Sequence, residues 1–397
     1  MLICITNYLG QNAHASGCIQ YHSSTILIKC QSTNLANLHD YLSKLNNITD
    51  KFLIKEPSKC WLLNANIEIY NGSNFYINST DTNWLKINST AGLSHSIKSH
   101  GNLIIDAVKI TGWDTKLDDY ARSNNNGTDA RSYLLVNHGT GNTNISNSEI
   151  AYLGYNFPSS FGLTYYTGSG STIKNNKIHD LYFGFYSSDP KANNIIIENN
   201  EFYNNKVYGI DPHSGTHDLI IKNNKVYNNG KHGIICSTDC YNIIIESNKV
   251  HNNMQEGIML YKNVSNSVIK NNILSNNREQ IAVYDSSNKN KISNNSLSSG
   301  KVGIRVTSNS SHNQIYNNSI MNSNYGIYLL KGASDNVIDS NRIANTSNFP
   351  IIVQDPETNN NIFRNNILLD NQKNEISRAI VDTNQVSFIN NTRKSIN

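Results

Sequence analysis

The stretch YGIDPH at residues 208–213 concentrates side chains that can bind metals or move protons. It holds a phenol, a carboxylate and an imidazole, Tyr208, Asp211 and His213, within six residues. Imidazole titrates near neutral pH and suits a general base, whereas a phenol needs a neighbouring cation to share in proton transfer at that pH. Asp-Pro is also a common turn pair, so turn, metal site and acid–base chemistry remain open at this level.

A repeated Ile-x-Asn-Asn motif indicates which elements carry these side chains. With its close variants it occurs nine times, from residue 173 to residue 363, at steps of 23 to 25 residues. Each repeat also contains a short, mostly Gly-centred strand of alternating apolar residues and has no helical period. Three short strands and three turns fit in one repeat, which is typical of an all-β, right-handed parallel β-helix with stacked coils.

The β-helix is predicted over residues 61–370. The second Asn of each motif is expected to stack inside it as a ladder of hydrogen-bonded amides, as in cross-β structures. Such a ladder lets a chain that is only 38% hydrophobic form a core. The predicted ladder consists of Asn176, Asn200, Asn224, Asn248, Asn272, Asn295 and Asn318.

The two ends of the chain have other patterns. Residues 34–46 have a helical apolar period, so residues 19–60 are expected to form an N-terminal cap with a short helix over the open end of the solenoid. Residues 371–397 are expected to form the C-terminal cap. Residues 1–18 resemble a truncated leader without a basic region. Together with several Asn-x-Ser/Thr sequons this favours a secreted or periplasmic protein.

Composition restricts the partners. No apolar run reaches 18 residues, so no transmembrane helix is predicted. A net charge of +4 is too small to imply nucleic acid but is compatible with a polyanionic ligand. The six cysteines have no zinc-like spacing, and Cys236 and Cys240 are near enough to pair across a turn. We expect a monomer without a cofactor or catalytic metal, with room only for a structural calcium ion.

Alignment of the strands on their glycines predicts a groove. Asp211 and His213 point outward from one strand, about 7 Å apart at two residue rises. Pro212 between them removes a ladder hydrogen bond, and such local violations concentrate at functional sites. The groove is rich in tyrosine, which suits an extended polysaccharide. Its predicted residues are Tyr208, Asp211, His213, His232 and Ser237 in the centre, Tyr166 and Tyr186 on one side, and Glu256, Met259 and Tyr261 on the other. His217 falls beyond the strand and is excluded.

YGIDPH, followed by HGII one coil later, resembles the mannuronan C5-epimerases that act on alginate. The resemblance covers roughly residues 100–265 and includes SEIAYLGY, FGLTYY and DLYFGFYSSD upstream of the motif. It implies that His213 is the base, that Tyr208 is the acid or base on the opposite face, and that Asp211 belongs to the same site. Asp211 is expected to orient His213 or to hydrogen-bond the sugar.

The sequence departs from that family at three places. Ser214 stands where the periplasmic epimerases carry an aspartate. Thr238 stands where they carry an arginine thought to neutralise the substrate carboxylate, and Gln255 and Glu256 stand where the secreted epimerases have an Arg-His pair. Removal of a proton alpha to a carboxylate builds up enolate-like charge, which a cation must stabilise. We expect this cation to be Arg131, from the polar insertion at 116–132, with substrate contacts from Lys231, His232, Tyr186, Tyr166 and Glu256.

The predicted function is therefore that of a poly(β-D-mannuronate) C5-epimerase. If the carbanion instead expels the 4-O substituent, the same residues would make a lyase acting on alginate or a related uronan. The third alternative is a non-catalytic surface β-helix that binds carbohydrate. That alternative predicts binding that survives replacement of His213 and no product.

Overall fold

The chain winds into a solenoid in which each coil adds one strand to each of three sheets. The computed structural model describes residues 17–44, 49–90, 92–369, 371, 376–378 and 386–394. Residues 1–16 of the predicted leader lie outside this part of the chain. Apart from the antiparallel pairs at the N-terminal end and one short pair in the polar insertion, the paired strands run parallel, each on the strand one coil away.

The first sheet carries the YGIDPH strand and is called the front sheet below. Its strands in spatial order are Ile19–His22, Thr25–Ile28, Asn66–Ile69, Ser96–Ser99, Tyr133–Val136, Gly162–Tyr165, Phe183–Ser188, Ile210–His213, Ile234–Ser237, Glu256–Tyr261, Glu279–Tyr284, Val302–Val306, Tyr325–Leu329, Ile351–Val353 and Ile376–Arg378.

The second sheet follows the front sheet along each coil. Its strands are Thr33–Asn34, Asn74–Asn78, Asn102–Asp106, Thr143–Ser146, Thr172–Lys174, Ile196–Glu198, Ile220–Lys222, Ile244–Glu246, Val268–Lys270, Lys291–Ser293, Gln314–Tyr316, Val337–Asp339, Asn361–Arg364 and Val386–Ile389.

The third sheet completes each coil. Its strands are Leu53–Glu56, Cys60–Leu63, Trp84–Asn88, Lys109–Asp114, Glu149–Ala151, Lys177–His179, Glu201–Tyr203, Lys225–Tyr227, Lys249–His251, Ile273–Ser275, Ser296–Ser298, Ser319–Met321, Arg342–Ala344, Ile367–Leu369 and Thr392–Lys394, with Asp119–Tyr120 paired on the strand Lys109–Asp114.

The Asn-Asn pairs form the corners between the second and third sheets. Their first residue adopts a left-handed backbone, as at Asn223 with φ 56°, a conformation that Asn tolerates better than most residues. Their second residue points inward, and the predicted amide ladder is confirmed. Asn224 Nδ2 donates to Asn248 Oδ1 at 3.0 Å and to the carbonyl of Ile197 at 2.9 Å, while its own Oδ1 accepts from Asn200.

The structure extends this ladder and adds two more. The first ladder continues through Asn341, Asn366 and Asn391. A second ladder lies at the corner between the third and front sheets, and a third at the entry to the second sheet. Their members are Asn205, Asn229, Asn253 and Asn277, and Asn290, Asn313, Asn336 and Asn361. The core therefore pairs its buried amides along the axis, which is how a chain with little apolar content avoids unsatisfied polar groups.

Replacing Asn224 with alanine is expected to lower the free energy of unfolding by about 2 kcal/mol or more, because the amides of Asn200 and Asn248 lose partners inside the core. Urea titration followed by circular dichroism measures this change. The control is Asn223→Gly at the exposed position next to it, where glycine adopts the left-handed backbone without strain. Equal stability of the two variants would contradict a stabilising role of the ladder.

The N-terminal segment contains the short helix that the apolar period predicts. The helix Leu35–Ser43 buries Leu35, Leu38 and Leu42 against the first coils, and its N-cap Asn34 accepts a hydrogen bond from the Asn37 backbone at 2.9 Å. A second, short helix spans Thr49–Phe52. The hairpin formed by the first two strands of the front sheet is closed by a disulfide between Cys18 and Cys30.

Two expectations about the ends and the cysteines are wrong. Cys236 and Cys240 are both free and buried, since Cys236 faces the core and the Cys240 thiol donates to the carbonyl of Ser237. The β-helix also continues beyond residue 370, because the strands Ile376–Arg378, Val386–Ile389 and Thr392–Lys394 extend all three sheets. The segment 371–397 is therefore at least partly further coil rather than a separate cap.

Candidate active site

A cleft of about 450 Å³ opens on the outer face of the front sheet over the YGIDPH strand. Aromatic side chains dominate one end of it, the three motif side chains lie in the middle, and a methionine and a tyrosine close the other end. The lining residues are Phe161, Phe183, Tyr186, Tyr208, Asp211, His213, His232, Ile235, Ser237, Met259 and Tyr261. The structure thus brings Tyr208, Asp211 and His213 together, as the strand alignment predicts.

Local backbone chemistry explains this convergence. Pro212 has no N–H, and the pairing with the next strand skips it, joining only Ile210 to Ile234 and His213 to Ser237. Alternation along the strand turns Pro212 inward and leaves Asp211 and His213 on the cleft side. Tyr208 lies before the strand begins at Ile210, so strand alternation does not apply to it and its ring reaches the cleft.

Glycine at position 209 is required by close backbone approach. A Cβ there would lie 2.5 Å from the carbonyl oxygen of Gly233 and 2.6 Å from Val226 Cγ1. The corner that presents Tyr208 to the cleft therefore packs directly against the next coil. A larger residue at 209 would push Tyr208 away from the motif strand.

His213 is placed as a neutral imidazole with one nitrogen engaged. Its Nδ1 lies 2.5 Å from Ser214 Oγ, and its ring centroid lies 5.7 Å from that of Tyr186. When Nδ1 carries the hydrogen and donates it to Ser214, Nε2 holds the free lone pair. Burial, and then the positive charge of Lys262, lower the pKa of His213 below 6.5. The imidazole is therefore a base that is uncharged at neutral pH.

Tyr208 is stacked between two rings. Its centroid lies 4.9 Å from Phe183 and 5.1 Å from His232, with interplanar angles of 22° and 18°. Burial, with a smaller contribution from Asp211, raises the pKa of Tyr208 to about 12. The phenol therefore keeps its proton at neutral pH and is able to donate it.

Asp211 contacts Ser237 rather than His213. It is 1% exposed, and its Oδ1 accepts a hydrogen bond from Ser237 Oγ at 2.9 Å. Burial raises the pKa of Asp211 well above its ordinary value, an effect that the Ser237 hydrogen bond only partly opposes. The expectation that Asp211 orients His213 is therefore not met, because Ser214 holds that ring. A carboxyl group with a raised pKa is also less repulsive toward an anionic ligand.

Behind His232, Glu256 links the His232 ring to Arg278. His232 Nδ1 is 2.8 Å from Glu256 Oε2, and the other oxygen of Glu256 forms an ion pair with Arg278. Although burial acts in the opposite direction, the hydrogen bonds from His232 and Arg278 hold the pKa of Glu256 below its ordinary value. Glu256 is 2% exposed and does not line the cleft. In this structure its contact with the cleft is indirect, through His232.

Arg131 does not reach the cleft, and its predicted place beside the substrate carboxylate is wrong. The side chain is 2% exposed and donates to four backbone carbonyls, those of Ala121, Leu153, Gly154 and Asp180. Desolvation lowers the pKa of Arg131 to about 10. The guanidinium therefore ties the polar insertion to two coils.

The other predicted substrate contacts divide into two groups. Tyr186 lines the cleft, whereas Tyr166 stacks on His138 at 5.8 Å and bonds Ser159, outside the set that lines it. Lys231 is exposed next to His232 and is likewise not part of the lining.

Sequence reasoning overlooked Phe161, Phe183 and Lys262. Phe161 and Phe183 line the aromatic end of the cleft. Both directly precede a glycine, the position that Tyr208 occupies in its own coil, and this was the available signal. Lys262 follows Tyr261 at the other end and acts on His213 through its charge.

The sequence matches the family described as "Right handed beta helix region" over residues 133–297 and 281–397, well over half of the chain. The chain belongs to this family. The match agrees with the three parallel sheets described above and with the predicted fold class.

The curated relatives that match include several mannuronan C5-epimerases. The mannuronan C5-epimerase AlgG of Azotobacter vinelandii is 33% identical over 125 residues, which are 28% of this chain and 23% of that protein. The mannuronan C5-epimerase of Pseudomonas syringae pv. tomato is 30% identical over 198 residues, 47% of this chain and 35% of that protein. The matched regions thus span about a quarter to a third of these relatives.

Among solved structures, the periplasmic alginate epimerase AlgG superposes with a TM-score of 0.74 at 23% identity, covering 93% of this chain and 85% of that one. The catalytic domain of Agl-KA superposes less well, with a TM-score of 0.53 at 15% identity over 83% of this chain and 63% of that one. At these identities the likeness establishes the fold.

Two further properties concern only the described residues. They contain no helix that is long and apolar enough to cross a membrane. They also contain no group of three or more His, Cys, Asp or Glu side chains arranged to hold a metal ion. That no cofactor takes part in the reaction stays a prediction.

Proposed function

We propose that this protein is a mannuronan C5-epimerase, which converts mannuronate to guluronate residues within a polyuronate chain. The observation that carries the proposal is the pair of proton-transfer groups in one cleft. His213 has a lowered pKa and suits the base, while Tyr208 has a pKa of about 12 and suits the acid. Environments that push two pKa values apart in this way separate the roles of acid and base. The matches to mannuronan C5-epimerases point to the same substrate class.

The first step is proton abstraction. His213 takes the C5 proton through Nε2, the C5–H bond breaks, and its electron pair is delocalised into the substrate carboxylate. Ser214 holds Nδ1 at 2.5 Å, so the ring keeps its orientation as it becomes charged. Negative charge builds up on the carboxylate at this stage, and a positive group must lie near it.

The second step delivers a proton to the opposite face. The Tyr208 O–H bond breaks, a new C5–H bond forms there, and the configuration at C5 inverts. The products are then a guluronate residue, an imidazolium and a phenolate, and proton exchange with solvent restores both side chains. The His232 ring stacked on Tyr208 is itself held by Glu256, which fixes the surface against which the Tyr208 ring packs.

The remaining walls suit a sugar polymer. Phe161, Phe183 and Tyr186 offer apolar aromatic surface at one end, and Met259 and Tyr261 do so at the other. The carboxyl group of Asp211 is available for a hydrogen bond to the sugar at the centre. We infer that the polymer lies across the stacked coils of the front sheet.

Incubation with polymannuronate in D₂O, followed by proton NMR, tests the proposal. An epimerase produces guluronate signals with deuterium at C5, because the abstracted and returned hydrogens come from different groups. A lyase would instead produce unsaturated 4-deoxy chain ends. Binding without either product would support the non-catalytic alternative and contradict both enzymatic readings.

The rate is expected to depend on pH through His213. The base must be uncharged, and its folded-state pKa is lowered, so activity is lost only as the pH falls through a value below 6.5. The alkaline limit set by Tyr208 lies far above neutrality, near its pKa of about 12. The pH profile of kcat/KM reports the free-enzyme groups and measures both limits. An acidic limb above pH 6.5 would contradict His213 as the base in this environment.

We infer that the protein works in an oxidising compartment, secreted or periplasmic. The disulfide Cys18–Cys30 supports this placement, since disulfides persist outside the reducing cytosol.

A further inference from the structure

The proposed reaction requires a cation at the substrate carboxylate. Three arginines that could supply it are engaged in structural contacts elsewhere. Arg131 is buried among carbonyls. Arg278 is bound to Glu256, and Arg305 forms an ion pair with Glu279 at 2.8 Å. Each of these guanidinium groups already has a structural partner. Thr238 occupies the position where the resembling periplasmic epimerases carry their arginine, and it has no charge.

Strand register places Lys262 directly below Thr238. Ser237 pairs with Tyr261 in the front sheet, the Thr238 N–H donates to the carbonyl of Tyr261 at 2.9 Å, and the Asp239 N–H donates to that of Lys262 at 2.9 Å. Thr238 and Lys262 are therefore equivalent corner residues on adjacent coils, about 4.8 Å apart along the axis. Both have a left-handed backbone, with φ 57° and 62°.

Lys262 lies next to the cleft, although it is not itself among the residues that line it. It follows Tyr261, which lines the cleft, and it is exposed. Within the described part of the chain it forms no ion pair within 4 Å, including with Asp285, its neighbour in the same column on the next coil. Its ammonium is therefore available to an anionic ligand.

A second observation connects this ammonium to the reacting group. The titratable side chains around His213 are Asp211 on its own strand, Tyr208 just before that strand, Tyr186 one coil before, His232 one coil after, and Tyr261 and Lys262 two coils after. Of these, Lys262 is the one whose charge acts on the imidazole, in the direction expected of a nearby cation. Lys231 is also exposed, but no comparable effect of its charge on His213 is present.

We propose that Lys262 binds the carboxylate of the uronate residue whose C5 proton His213 removes, in place of the arginine that the chain lacks at Thr238. This inference rests on the proposed epimerase function. It assigns recognition of the carboxylate to the ammonium of a flexible lysine rather than to the planar guanidinium of an arginine. The two groups differ in hydrogen-bond geometry. The site would therefore select for a negative charge at C6 and against the neutral sugar.

Lys262→Gln tests the assignment, measured as guluronate formation from polymannuronate by NMR. Loss of one group that stabilises transition-state charge is expected to lower kcat by about 10²- to 10³-fold. The acidic limb of the kcat/KM profile should also move to higher pH, because the cation that lowers the pKa of His213 is gone. A lysine with a purely structural role would not move that limb. Thr238→Arg added to Lys262→Gln should restore part of the lost kcat.

The matched control is Lys289→Gln, an exposed lysine at another left-handed corner with φ 56°, which should retain wild-type kinetics. If Lys262→Gln keeps both the wild-type kcat and the wild-type pH profile, the inference fails while the epimerase function stands. If the wild-type protein forms no guluronate at all, the proposed function fails and the inference fails with it.

Discussion

Replacing His213 with glutamine is expected to abolish epimerisation and C5 hydrogen exchange together, with a fall in kcat of about 10⁴-fold. The amide of glutamine cannot accept a proton at neutral pH, so the C5–H bond has no acceptor in the cleft. Proton NMR of polymannuronate in D₂O measures both effects at once, inversion from guluronate signals and exchange from loss of the mannuronate H5 signal.

His217→Gln is the matched control for this substitution. His217 lies four residues further along, where it bonds Asp218 at 2.6 Å and stacks on Tyr241 at 4.6 Å, outside the residues that line the cleft. The control removes the same chemical group from the same coil and is expected to turn over at the wild-type rate. Activity in His213→Gln close to that of the control would show that another group abstracts the proton.

Replacing Tyr208 with phenylalanine is expected to separate inversion from exchange. The ring that stacks between Phe183 and His232 is preserved, and only the hydroxyl that donates the second proton is lost. Guluronate formation should fall by about 10²- to 10⁴-fold. His213 remains able to remove the C5 proton and to return a deuteron to the same face, so exchange at C5 without inversion should persist in D₂O.

Tyr227→Phe controls for the loss of a stacked phenol. Tyr227 lies on the third sheet between Tyr203 at 5.2 Å and His251 at 5.1 Å, and its hydroxyl bonds Glu201. This variant should retain full activity. Parallel loss of exchange and inversion in Tyr208→Phe would instead assign Tyr208 to the abstraction step, and undiminished inversion would exclude it as the acid.

The repeating coils of the fold could be predicted from the sequence alone. A coil of 23 to 25 residues buries its inner face only against its neighbours, so the period, the strand positions and the stacked amides are linked by one geometric requirement. The first Asn ladder followed directly. The other two ladders, such as the one through Asn205 and Asn229, follow the same spacing. They could therefore also have been predicted from the sequence.

The convergence of Tyr208, Asp211 and His213 was also a matter of local pattern. Proline interrupts the ladder, alternation turns Asp211 and His213 outward, and the glycine corner frees Tyr208 from alternation. The sequence pattern did not predict the hydrogen-bond partners or the burial of these three side chains. Whether Asp211 bonds His213 or Ser237, and how far the pKa of Tyr208 rises, depends on side chains that arrive from neighbouring coils.

Thus the sequence by itself determined the coils, the ladder and the strand that carries the motif, because these depend on spacing within and between repeats. Only the tertiary structure showed that Arg131 is withdrawn from the site. Arg131 lies in an insertion outside the repeat, and its burial against four carbonyls follows from how that loop folds back on two coils. The charge of Lys262 acts on His213 across two coils, because consecutive coils stack at strand spacing and bring residues far apart in the chain near each other.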